Sequence, residues 1–207
     1  MEIHPPHAIT SVKDFFLQLL TITVGILIAL SLDGVLEWHR HNRLAGEARA
    51  NLTREIQDNK KSLDDALQHA PEVQQNLQQA LAVIDARMRH EKPSASNMNL
   101  SYGIVELSSA SWDTARATGA MAYMDYAEVK EYSEVYELQQ RLNRIQDELL
   151  ANFITSLPPQ GASETSSAEL LAAKQSLLKT LAYLKAGEDV ARGLIREYGK
   201  ASSSPAG

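Results

Sequence analysis

The sequence predicts an all-α chain, with an N-terminal single transmembrane helix continuing into an antiparallel helical bundle of about four long helices. Three observations carry this reading. The run FFLQLLTITVGILIALSL, residues 15–32, holds 18 residues without a charge. Elsewhere, apolar residues recur at steps of three and four, the period of helices that bury one face. The 207 residues include only 10 Gly and 7 Pro, too few turn formers for a fold of many short strands.

Composition narrows the function classes. A hydrophobic fraction of 44% in 207 residues is enough for one sizeable core. A formal net charge of −6 offers no concentrated basic surface for phosphates, so no nucleic-acid partner is expected. With 0 Cys, disulfides, thiolate metal sites and a cysteine nucleophile are excluded.

The anchor comes first, over residues 11–38, after an N-terminal tail of residues 1–10. At about 1.5 Å per residue, the apolar run extends roughly 27 Å, close to a hydrocarbon core of about 30 Å. Pro5 and Pro6 end whatever precedes it, Ser11 with Asp14 reads as a helix N-cap, and Trp38, His39, Arg40 and Arg43 form an interfacial belt. Ala29 and Ser31 satisfy the small-residue rule of a signal-peptide cut. The nearly uncharged region before the run, and the length of the run itself, argue against cleavage. Lys13 precedes the span, while Arg40, Arg43, Arg49 and Arg54 follow it, so the positive-inside rule favours the bulk of the chain in the cytoplasm, with a periplasmic domain as the alternative. Thr21, Gly25 and Ala29 recur every four residues and form a candidate face for close pairing of two transmembrane helices.

Residues 39–200 form the bundle domain. Its first helix runs on from the anchor to Pro71, with Gly34 and Gly46 as weak points. Leu52, Ile56, Asn59, Leu63, Ala66 and Ala70 make a coiled-coil-like seam. Asn59 is its polar member; in a coiled coil such an Asn fixes register at some cost in stability, but the expected place for it is the seam's edge, facing solvent. A second helix is expected to begin near Pro71 and to bury Val73, Leu77, Ala80, Ile84 and Met88 before ending ahead of Pro93. The loop KPSASNMN follows, and then LSYGIVELSSA, a turn of strand or an irregular helix entry. In the third helix, Asp125 and Glu128 read as a capping box, and Val129, Tyr132, Tyr136, Leu142, Ile145, Leu149 and Phe153 line one face up to Pro158 and Pro159. The polar loop PPQGASETSS leads to a fourth helix from Ser167 to Tyr198, burying Leu170, Leu177, Leu181, Leu184, Ala191 and Ile195. Residues 201–207 are expected to be a disordered tail.

Chemistry is sparse. Glu37 and His41 are spaced by four, but no Glu-x-x-His or second pair completes a metal site, and no metal or cofactor is expected. Carboxylate pairs such as Asp64 with Asp65 and Glu188 with Asp189 fall where solvated helix faces are expected. No G-x-S-x-G, phosphate-cradling glycine loop or H-E-x-x-H occurs, so catalysis is not expected. The segment ASWDTARATGAMAYM stands out. Its Trp112, Asp113, Arg116, Gly119 and Tyr123 describe either a packed joint or a small ligand pocket. As a joint, Ser108 or Ser109 caps a short helix, Asp113 pairs with Arg116, and Gly119 ends it in the left-handed conformation.

The anchor segment TVGILIAL, the joint of residues 112–119 and the capped, tyrosine-bearing helix of residues 125–136 together resemble uncharacterised bacterial single-span membrane proteins of unknown function. The resemblance covers the anchor and the middle of the chain. It implies a helical soluble domain held at a membrane, and no catalytic residue, cofactor or substrate. The expectation is a single-pass protein of the bacterial inner membrane. Its partners would be the lipid bilayer and either a second copy or another membrane protein. It would act as a scaffold, assembly factor or signalling accessory. The alternative is a sensor-type bundle that binds a small ligand near Trp112.

Overall fold

A computed structural model describes residues 12–92, 104–156 and 166–203, and these are helical with no strand among them. The helices are α1 (Val12–Met88), α2 (Ala110–Ala117), α3 (Tyr126–Ser156) and α4 (Ser167–Ser203), with a 3-10 turn at Ala120–Tyr123. The chain divides into two compact units, Met1–Glu47 and Ala48–Gly207. Residues 1–11, 93–103, 157–165 and 204–207 lie outside the described residues, and with them the expectations for the N-terminal tail, the Ser11 cap, the segments KPSASNMN and PPQGASETSS beyond Lys92 and up to Thr165, and the last four residues.

The first unit is helical over its described part because it is built of Leu, Ile, Val and Ala with no Pro. Over residues 15–32 the helix is apolar on every side. Phe16, Leu20, Ile26 and Leu30 are each more than half exposed, and this is the one helix among the described residues long and apolar enough to cross a membrane. Its hydroxyls are turned inward on the backbone: Thr21, Thr23 and Ser31 donate to the carbonyls of Leu17, Leu19 and Leu27 at 2.9, 2.8 and 2.7 Å. That satisfies each hydroxyl without water, as an apolar surrounding requires.

In the second unit, two sequence expectations are corrected. Pro71 does not start a new helix, because α1 passes through it, so the unit has three long helices and one short one instead of four long ones. A proline inside a helix removes one N–H···O=C bond and costs about 3 kcal/mol. Leu63 and Ala70 before it and Leu77 and Ala80 after it are all buried, and each fully buried Leu returns about 1.5–3 kcal/mol when the helix stays in register across the break. The second correction is one of direction. Along α1 and α3 the contacts Arg49 with Glu128, Glu55 with Tyr136 and Asn59 with Gln139 rise together, so these two helices run the same way. Of the long helices, α4 runs oppositely. Asp85 meets Lys174 and Gln74 meets Glu188, while Asn152 meets Ser176 and Gln139 meets Tyr198.

Two parallel helices force the chain between them to travel back. Residues 104–109 are part of that return; they lie extended without regular structure and lead straight into α2 at Ala110, an irregular helix entry and not a turn of strand. Val105 meets Gln146, Ser108 meets Gln139, and Trp112 of α2 meets Tyr136, so the segment descends α3 from residue 146 to residue 136.

The core follows the expected stripes with local shifts. Leu52, Ile56, Leu63, Tyr132, Leu142, Leu149, Leu170 and Leu177 are buried, whereas Met88 is exposed. At the end of α4, Leu194 and Tyr198 are buried, and Ile195 is only half-buried. Helix α4 continues to Ser203 with Ala201 buried, so residues 201–203 are helical and not a disordered tail. Glu128 does not close a capping box on Asp125. Its carboxylate instead accepts from Arg49 Nε at 2.7 Å.

Gly187 sits mid-helix in α4. A Cβ there would lie 3.6 Å from Ile145 Cγ2 and 4.0 Å from Leu142 Cδ1, ordinary contact distances. Gly187→Ala is therefore expected to stabilise the unit by about 0.5–1 kcal/mol through helix propensity. Chemical denaturation checks it, and a loss of stability would contradict this packing.

Candidate functional site

The most organised polar chemistry lies where α1 and α3 hold the extended segment. Glu55 is buried on α1. Its Oε1 accepts from the Tyr136 hydroxyl at 2.6 Å, and its Oε2 accepts from Ser108 Oγ at 2.7 Å and the Ser111 backbone N–H at 2.8 Å. One turn on, Asn59 grips the Ser108 backbone from both sides. Its Oδ1 accepts the Ser108 N–H at 2.9 Å, and its Nδ2 donates to the Ser108 carbonyl at 2.8 Å. Gln146 does the same to Val105, accepting its N–H at 2.7 Å and donating to its carbonyl at 3.1 Å. Gln139 also donates to the Ser108 carbonyl at 2.9 Å and accepts from the buried Tyr198 hydroxyl at 2.8 Å. Two side-chain amides thus supply what neighbouring strands would supply to an extended segment, whose buried backbone groups need partners. The solvent-facing Asn59 expected from sequence is corrected: it is 4% exposed, because Ser108 claims both ends of its amide.

The site is a closed polar core. Burial pushes the Glu55 carboxyl up, but the hydrogen bonds from Ser111, Tyr136 and Ser108 outweigh it and hold the group below the ordinary glutamate value. Burial, and then the Glu55 carboxylate, raise the Tyr136 hydroxyl well above the ordinary tyrosine range. A carboxyl whose folded pKa is depressed contributes stability above its unfolded pKa and loses it as pH falls through the folded value. Acid denaturation is accordingly expected to steepen below about pH 4.3. With Glu55→Gln, the midpoint at neutral pH falls but that acid-side loss shrinks. An unchanged acid slope in the variant would contradict the assignment.

The structure separates the sequence-marked joint residues. Trp112 is buried and stacks on Tyr136, ring centroids 5.0 Å apart and planes 14° from parallel. Asp113 and Arg116 are exposed, and Asp113 accepts from Ser109 Oγ at 3.0 Å instead of pairing with Arg116. Ser109 is the N-cap residue of α2, without a side-chain cap bond. Gly119 has φ 72°, the left-handed conformation that ends α2, and Tyr123 is 43% exposed. The group does not converge on a common space. Glu37 and His41 stand 4.0 Å apart, and among the described residues no three metal-ligating side chains cluster. Thr21, Gly25 and Ala29 lie on one exposed face, where a Cβ added at Gly25 would meet nothing within 4 Å.

Sequence reading missed Glu55, Gln139, Gln146 and Tyr198. The signal was present in part: Gln139 and Gln146 lie seven residues apart, both interrupting the α3 apolar stripe. A cavity of about 560 Å³ lies beside the extended segment, between α1, α3 and α4. Leu63, Leu67, Leu142, Ile145, Leu149 and Leu184 give it an apolar wall.

The fold and site define a class: an all-helical chain with one exposed apolar helix and a unit closed around a clamped extended segment. Compared with known proteins, the chain matches no family model, no curated protein and no solved structure.

Proposed function

We propose that this chain is a single-span, membrane-anchored helical binding protein of the bacterial inner membrane, with residues 15–32 in the bilayer and the second unit in the cytoplasm. The observation that carries the reading is the exposure of large apolar side chains on every face of residues 15–36, beside a unit that completes its own core. Exposed apolar surface of that extent needs a nonaqueous partner. In this reading the second unit is a bundle in which α4 runs antiparallel to the parallel α1 and α3. Its function is to engage a second copy or another membrane protein, and not catalysis, because its best-formed polar cluster is filled by its own hydrogen bonds. The open face of Thr21, Gly25 and Ala29 is where two such anchors would meet.

The chain has 0 Cys, so single cysteines report cleanly. Lys61→Cys is expected to resist an impermeant maleimide in intact spheroplasts and to label after permeabilisation. Labelling before permeabilisation would place the unit outside. Gly25→Cys is expected to crosslink in native membranes, to itself or to a neighbour. Monomer alone at every position from 17 to 33 would remove the interaction reading.

A further inference from the structure

The cavity between α1, α3, α4 and residues 104–106 has a chemistry that the closed Glu55 cluster lacks. Its wall is apolar, and its lining residues include Asp65, Glu72 and Glu106, which are exposed at its rim, the half-buried Glu188, and His69, with no Lys or Arg. Elsewhere in the same unit, the half-buried Glu128 is paired with Arg49 at 2.7 Å and the half-buried Asp85 with Lys174 at 2.7 Å. None of the four cavity carboxylates is in an ion pair among the described residues, and Glu188 takes only the neutral Gln74 amide at 2.6 Å. The carboxylates do not gather into a metal-binding group, so a compact ion does not suit them. A further polar atom stands at the same wall. Asn76 Nδ2 is the buried side-chain nitrogen or oxygen that lacks a hydrogen-bond partner among the described residues.

We propose that this cavity binds a small organic ammonium with an aromatic or other apolar body, its body on the leucine-rich wall and its charge among Asp65, Glu72, Glu106 and Glu188. The volume, about 560 Å³, lies within the roughly 300–1,000 Å³ of small-molecule sites. The cation supplies counter-charge to the four unpaired carboxylates, and the apolar body removes the wall from water. The inference stands on the second unit alone and does not depend on which side of a membrane that unit occupies.

The test is calorimetric titration of the full chain in phosphatidylcholine nanodiscs with tryptamine as the probe, empty nanodiscs being subtracted. Indole-3-propionate serves as the anionic control of similar body. Saturable one-to-one binding of tryptamine is expected, at least about tenfold tighter than the anion. The double variant Glu72→Gln and Glu188→Gln is expected to weaken it about tenfold at low salt. Ala66→Trp, which fills the cavity from α1, is expected to abolish it. Absence of saturable tryptamine binding, equal binding of the anion, or binding unchanged in the Gln variant would each overturn the proposal. The two Gln substitutions lie at exposed and half-buried positions, so that arm remains decisive if the Trp variant misfolds.

Discussion

Glu55→Ala is expected to destabilise the second unit by about 3 kcal/mol, the range for stripping a buried charged acceptor from its donors. The variant leaves the Tyr136 hydroxyl, the Ser108 hydroxyl and the Ser111 N–H without their acceptor at once. Those three donors belong to α3, to the extended segment and to α2, so one side chain of α1 ties three separate parts of the chain together. Tyr136→Phe removes only one of the bonds and keeps the stack on Trp112, so a loss of about 1 kcal/mol is expected. In the double variant the losses should fall short of their sum by about 1 kcal/mol or more, because both report on one hydrogen bond. Urea denaturation of the three variants measures this. Strict additivity would mean that the Glu55–Tyr136 contact contributes nothing in solution.

The second large effect concerns the anchor. Arg substituted at Gly25 and Ile26 together is expected to move the protein from the membrane to the soluble fraction. A charge at the centre of a membrane helix costs about 2.5–3.5 kcal/mol on insertion scales, and two adjacent ones cannot both reach the interface from mid-span. Both positions are exposed, and neither supports the second unit's core. Far-ultraviolet circular dichroism and the urea midpoint of the second unit should therefore remain as in the parent chain. Retention of the double-Arg variant in alkali-washed membranes would argue that residues 15–32 are held by something other than lipid.

Helix content was readable because apolar residues at steps of three and four leave few alternatives. The stripes of Leu52, Ile56 and Leu63 on α1 and of Tyr132, Tyr136 and Leu142 on α3 are buried as their spacing requires. Helix direction was not readable. Periodicity says which face of a helix is buried, and nothing in it tells whether the next helix runs up or down. That depends on a connection of irregular structure, whose register here is fixed by side-chain amides gripping backbone at Ser108 and Val105. Pro71 misled for a related reason. Local propensity opposes a helix there, and packing of Ala70, Leu77 and Ala80 against the rest of the unit overrides it. The polar cluster was the least legible part. A Glu, an Asn and two Gln inside apolar stripes read as surface residues until the segment that they bind is placed between the helices. Trp112 was marked as unusual, but Asp113, about 100° round the helix from it, and Arg116 are both exposed to solvent while Trp112 is buried.

Spin labels placed singly at positions 12 to 36 of the cysteine-free chain, reconstituted in phosphatidylcholine vesicles, test the anchored arrangement most directly. The account predicts high oxygen and low nickel-chelate accessibility across residues 15–32, deepest near Gly25, with a dip in oxygen accessibility confined to Thr21, Gly25 and Ala29 where two anchors meet. Nickel-chelate accessibility that stays high along the whole run would contradict it.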